Sequence, residues 1–357
     1  MRRVLTAATA GVLLLLAGCS SSAATGGSGT GTSTAGSDAT ASASAAAAAP
    51  VNVRLGFLTN ITHASALIAL KEGYFKQDLG SAGSITATAF ASGTPETTAL
   101  LAGQLDAAYV GPNPVINAWQ KSNGTEIKVV SGAATGGASV VVKKGITSAA
   151  QLKGQSLATP SLGNTQDVAL RYWLKQNSLS TSITGGGDVS IKPTTPNSAA
   201  VLEFESGQIA GGSEPAPYDI EMVKDGGTVL LTETGVTTLL VVTQSFLSAH
   251  PAIVADLIKA QIQANDFIKN NPAAAQAATN AELAAFTGKP LKASLVAASF
   301  KEITFTDDPD QSSLIADAQQ ATSLGLLSSV DLSGLFDLTP LNTALQAAGE
   351  PQVVPEP

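Results

Sequence analysis

Ala99-Leu100-Leu101-Ala102-Gly103-Gln104-Leu105-Asp106-Ala107-Ala108 runs into Gly111-Pro112, and Glu203-Phe204-Glu205-Ser206-Gly207-Gln208-Ile209-Ala210-Gly211-Gly212 runs into Glu214-Pro215-Ala216-Pro217. Each stretch reads as a helix stopped by glycine, a Gln-Leu or Gln-Ile step, a short strand and a proline-rich loop. Chance among common residues would repeat letters. Here the order of elements repeats too, at a spacing of 104 residues from Gly103 to Gly207, and this predicts two lobes of one build. Ligands of open α/β sheets gather at the carboxyl ends of strands. Two such loops facing one another across a cleft would enclose a small molecule.

Toward the N-terminus the same grammar continues. Val51, Val53, Leu55 and Phe57 alternate with Asn52, Arg54 and Gly56, which predicts a strand. Thr59-Asn60-Ile61-Thr62 is the loop after it, with Thr62 as N-cap of a helix that Gly73 stops. Ile85–Phe90 reads as the next strand. Thr94-Pro95-Glu96 opens a helix with a cap, a proline and an acid beside the positive dipole end. Strands alternating with helices give an α/β class with mostly parallel sheets.

Composition narrows the partners. The formal net charge is −8, and only Arg54 and Arg171 remain as arginines beyond Arg2 and Arg3. That excludes nucleic acid and an anionic membrane surface as expected partners. No GxSxG, HExxH or CxxC occurs; Gly185-Gly186-Gly187 lacks the Lys-Ser/Thr of a phosphate cradle; Asp307-Asp308-Pro309-Asp310 lacks the spacing and glycine of a calcium loop. No catalytic residue, metal or cofactor is expected, and Asp310 is read as a helix N-cap.

Met1-Arg2-Arg3, the apolar run Val4–Leu16 and Leu16-Ala17-Gly18-Cys19 form a signal peptide over 1–18. Cys19 is the only cysteine, so no intramolecular disulfide is possible. The arrangement resembles bacterial lipoproteins, which implies lipidation of Cys19 as the new N-terminus and anchoring to the cell membrane through that lipid. Residues 19–50 are almost entirely Ser, Ala, Thr and Gly and predict a disordered tether.

Four separated motifs carry a wider resemblance: Gly56-Phe57 through Thr62-His63-Ala64, Ala108-Tyr109-Val110-Gly111-Pro112-Asn113-Pro114, Gly163-Asn164-Thr165-Gln166-Asp167-Val168-Ala169-Leu170, and Glu214-Pro215. Together they resemble the sulfonate, taurine and nitrate group of ABC-transporter substrate-binding proteins over essentially all of 51–350. The resemblance implies a type II periplasmic-binding-protein fold, two Rossmann-like lobes joined by two crossover strands. Lobe one would comprise 51–140 and 243–357, lobe two 141–242, with Ser139–Val142 and Leu239–Val242 crossing. It also implies a monomer outside the cytoplasm that closes on a small solute and delivers it to ABC permease transmembrane subunits. A thiamine-pyrimidine synthase resembles the same group, so a cleft enzyme is the alternative, with a lipid-tethered sensor as a further one.

The candidate solute ligands follow. Asn164, Thr165 and Gln166 open a helix after Gly163, where free N–H groups and the dipole suit an anionic oxygen; capping alone is the plainer role for Asn164 or Thr165. Asn113 has the same two readings beside Gly111, which lets backbone approach a ligand. Asn60, Thr62 and His63 lie where lobe one meets the cleft, and His63 either donates to an oxyanion or is a plain helix-start residue. Glu214 is the odd member: the related proteins usually carry tryptophan after Glu-Pro, and here Ala216 stands there. A carboxylate facing a bound anion is unfavourable, so Glu214 either meets the ammonium of a zwitterion or points away.

Overall fold

The structure is a computed structural model that describes residues 49–354; the signal peptide over 1–18, Cys19 and the tether as far as residue 48 lie outside the described residues. The chain begins β1 (Val51–Leu58), α1 (Ala64–Lys71), α2 (Tyr74–Leu79), β2 (Gly83–Phe90), α3 (Gly93–Leu101), β3 (Ala107–Val110), α4 (Pro112–Lys121) and β4 (Ile127–Gly136). It continues through β5 (Ala138–Val142), β6 (Ser156–Thr159), α5 (Thr165–Gln176), β7 (Ser190–Pro193), α6 (Asn197–Glu205), β8 (Gly211–Pro215), α7 (Tyr218–Lys224) and β9 (Thr228–Glu233). It ends with β10 (Val236–Thr243), α8 (Gln244–Ala249), α9 (Pro251–Asn270), α10 (Pro272–Thr287), α11 (Ala293–Glu302), β11 (Ile303–Phe305), α12 (Gln311–Ser323) and α13 (Thr339–Ala348).

Two sheets result, ordered β2-β1-β3-β10-β4-β11 and β7-β6-β8-β5-β9. In the first, β2, β1 and β3 are parallel and β10 runs against both its neighbours; in the second, β7, β6 and β8 are parallel and β5 does the same. The doubled stretch therefore marks equivalent places. Gly103 (φ 66°) and Gly207 (φ 78°) both take the left-handed turn after a helix, and β3 and β8 are each third in their sheet.

Helices cover both faces of the first sheet, which explains why central β3 is apolar throughout, as is the Leu239–Val242 run of β10 beside it. In β3, Ala107 and Tyr109 join the core made with α1, α9 and α10, while Ala108 and Val110 join the core under α3 and α4. Phe57 is fully buried in the former; truncating such a side chain to alanine costs about 3–5 kcal/mol.

The passages between sheets differ from expectation. β5, which includes Ser139–Val142, lies wholly in the second sheet, and β10, which includes Leu239–Val242, wholly in the first. The chain crosses at Gly136-Gly137 and at Thr234-Gly235. All eight residues of β10 are buried, so its apolar run carries no mark of a boundary. The boundary is the polar Glu233-Thr234-Gly235 before it. Gly136 (φ 70°) and Gly137 (φ 74°) supply the left-handed backbone of the first passage.

Candidate functional site

The loops that follow all six parallel strands meet between the lobes. Asn60, Thr62 and His63 come from the end of β1, Ser92 and Gly93 from β2, and Gly111 from β3; Asn164, Thr165 and Gln166 follow β6, Asn197 follows β7, and Pro215 closes β8. Thr237 of β10 completes the lining, and the free space enclosed is about 20 Å³, room for little more than one water. The lobes touch around it. The Ile61 N–H donates to the Ala216 carbonyl at 2.9 Å, the Tyr218 hydroxyl to the Thr59 carbonyl at 3.2 Å, and the Thr94 and Ser161 hydroxyls stand 3.3 Å apart.

Four helices begin at this cleft, α3 and α4 from lobe one, α5 and α6 from lobe two. Their positive dipole ends converge from both walls, with backbone N–H groups at the first-turn positions that Pro95, Pro112 and Pro114 do not occupy. In α5 the cap is Asn164, whose side chain accepts from the Asp167 N–H at 3.0 Å and whose amide donates to Gln166 Oε1 at 2.8 Å. Asn164 thus caps and lines at once. In lobe one the capping residue is Asn60 rather than the expected Thr62: Asn60 Oδ1 accepts from the Thr62 N–H (3.0 Å) and hydroxyl (2.7 Å). Thr62 in turn accepts from the Thr238 hydroxyl at 3.2 Å.

The lining holds no Lys, Arg, Asp or Glu. His63 is its one titratable group, and burial pushes its pKa down to about 3, so the ring is neutral at any ordinary pH. Its Nδ1 accepts from the Leu58 N–H at 3.3 Å, and this hydrogen bond assigns the ring proton to Nε2. Proton–nitrogen correlation NMR should show the Nε2–H tautomer unchanged from pH 5 to 8; a ring titrating near 6.5 would contradict the assignment.

Three expected ligands stand outside the lining. Gly163 donates its N–H to Asp167 Oδ2 at 2.9 Å and shapes the loop from behind. Asn113 is buried with its amide toward the Asp317 carbonyl of α12, 3.5 Å away. Glu214 is fully buried with neither carboxyl oxygen hydrogen-bonded. Burial, with Asp219 and Glu233 nearby, pushes its pKa well above the usual carboxylate range. Glu214 stands opposite Ser139 in the β5–β8 pairing, near Asp219 of α7 and outside the cleft lining.

Ser92, Asn197 and Thr237 were not anticipated. Ser92 had a signal in the helix start at Thr94-Pro95, since a strand precedes it. Asn197 and Thr237 had none: β7 is short and polar, and Thr237 lies inside a strand. The loop over 159–167 is braced by a buried ion pair, Arg171 Nε to Asp167 Oδ2 at 2.9 Å, with Thr159 donating to Asp167 Oδ1 at 3.0 Å. One of the two arginines among the described residues is thereby committed to structure. A larger surface groove of about 1190 Å³ runs along α12 and the 329–339 segment, bordered by the starts of α12 and α13, but every residue that lines it belongs to lobe one and it lies away from the strand ends.

The sequence profile of the NMT1-like family matches residues 46–284. No curated protein sequence matches the chain. Among solved structures, the alkanesulfonate-binding protein SsuA from Xanthomonas axonopodis pv. citri, bound to MOPS, is 18% identical, with 82% of this chain and 100% of that one covered and a TM-score of 0.68. The periplasmic nitrate-binding protein NrtA from Synechocystis PCC 6803 is 14% identical over 84% of this chain and 89% of its own, with a TM-score of 0.70. The aliphatic sulphonate binding protein SsuA from Escherichia coli is 17% identical over 78% and 91%, with a TM-score of 0.60. At these identities the likeness is one of fold, the periplasmic-binding-protein fold.

Proposed function

Because the chain belongs to the NMT1-like family, we propose that it is the solute-binding protein of an ABC importer, a lipid-anchored extracytoplasmic receptor that hands its solute to the permease. The observation that carries this reading is the convergence of four helix starts, from two lobes, on a cleft lined without a charged side chain. Helix ends hold an anion through neutral N–H groups. A small monoanion of sulfonate or nitrate type is the solute this arrangement fits best. A dianion would have no full positive charge to meet. An enzyme on the same fold has less support, since the single titratable group in the lining is a histidine held neutral.

Glu214 bears on the choice between a plain anion and a zwitterion. Fully buried and outside the lining, it is read as making no contact with an ammonium group. Glu214→Gln should therefore change the affinity for taurine and for ethanesulfonate by the same factor; selective loss of taurine would restore the ammonium contact.

The role is tested in cells and in the tube together. Deleting the gene should abolish high-affinity uptake of the solute, and purified protein should return that solute chemically unchanged after incubation. Recovery of an altered product would overturn the receptor reading.

A further inference from the structure

One buried side chain of lobe two keeps its apolar company in lobe one. Val168 of α5 is 1% exposed, and it clusters with Ile116 of α4, Ala318 and Ala321 of α12, and Leu327 just beyond α12. No other residue of lobe two belongs to that cluster. Seven residues further along α5, two turns on and on the same face, Lys175 Nζ donates to the Ser323 carbonyl at 2.5 Å. Ser323 ends α12, so the lysine also meets the negative end of that helix's dipole.

α12 itself is fastened to lobe one before its start and after its end. At the start it lies against the second passage. There Ser313 Oγ accepts the Val236 N–H at 3.1 Å and would stand 2.6 Å from a methyl on Gly235. Leu314, one residue on, is fully buried in the core under α3 and α4. After the end, the Ser328 carbonyl accepts from Gln120 Nε2 at 2.7 Å, and the Asp331 carbonyl from Trp119 Nε1 at 2.8 Å. Both donors belong to α4. α12 is thus part of lobe one, and the packing of α5 against it is a contact between lobes.

We propose that α12 is a latch: gripping α5 through Val168 and Lys175, it holds the lobes closed while the cleft is free of solute. The proposal rests on the reading of the cleft as a solute site whose lobes part and close. Opening draws Val168 off Ala318 and Ala321 into water, and it breaks the Lys175 hydrogen bond. Fully burying a valine is worth about tenfold or more in an equilibrium. The lysine contact is exposed and contributes less, so the apolar seam is the main grip. Solute then enters only while the lobes are apart, and openings set the rate of capture.

Small-angle X-ray scattering on the solute-free protein tests this without any ligand, so its failure is distinct from failure of the solute reading. In Val168→Asp the carboxylate is tolerated in water and costly against α12. The closed-to-open ratio should fall about 100-fold or more, and the radius of gyration should rise. Val168→Ala combined with Lys175→Ala places no charge in the seam and should raise the radius in the same direction by less. Circular dichroism shows whether each variant is folded, and if Val168→Asp does not fold the double variant decides alone. An unchanged radius of gyration in the folded variants overturns the proposal, since the lobes are then already apart or are held closed by other contacts.

Discussion

Asp167→Ala is expected to destabilise the protein by about 3–5 kcal/mol, because it leaves the Arg171 guanidinium buried without its counter-ion. Arg171 is 2% exposed and Asp167 fully buried, and the one other partner of that guanidinium among the described residues is the Ser182 carbonyl at 3.0 Å. The same substitution removes the acceptor for the Gly163 N–H and the Thr159 hydroxyl, so the loop that presents Asn164, Thr165 and Gln166 loses its brace. Urea unfolding measures the first effect. A double variant separates the second: Asp167→Leu with Arg171→Met removes both charges and should recover much of the stability, yet solute affinity should stay low because the loop remains unbraced. If D167A unfolds within about 1 kcal/mol of the unaltered protein, the pair is not the buried keystone described above.

Gly111→Val should do the opposite, sparing the fold and striking the closed form. Gly111 has φ −71° and ψ 158°, a conformation open to any residue, so no backbone strain arises. A Cβ there would stand 2.6 Å from Thr165 Oγ1 and 3.5 Å from the Thr237 carbonyl oxygen. Thr165 belongs to the opposite lobe. Its hydroxyl alone could swing aside for alanine, but valine's added methyls wedge the lobes apart. Solute affinity should fall about 100-fold, about 2.7 kcal/mol, with thermal stability of the solute-free protein nearly unchanged, and Thr165→Ala should recover part of the loss. Undiminished affinity in G111V would show that the lobes do not close at this point.

Much of this architecture could be read from residues alone, for a physical reason. Gly103 and Gly207 stop helices through left-handed backbone that few other residues adopt, and such local signals repeat wherever the unit repeats. Asn164 as cap and Asp310 as cap are local too; the Asp310 side chain accepts from the Ser313 N–H at 3.1 Å. What failed to show was whatever depends on facing. Neither Glu214 nor its neighbour Ser213 lines the cleft, where Pro215 alone of β8 does, and letters do not say which way a strand residue turns. Thr62 and Asn60 compete for one cap, and the short turn Ile61–His63 ahead of α1 decides for Asn60. The packing of α11 on α7 joins segments far apart in sequence and has no local signal.

Isothermal titration calorimetry of the purified protein against ethanesulfonate, taurine and nitrate tests the central claim most directly. The account predicts saturable one-to-one binding of at least one of these small monovalent or zwitterionic solutes, lost or greatly weakened in Gly111→Val. A folded protein that binds none of them, or that binds equally well once Gly111→Val has wedged the cleft, would contradict it.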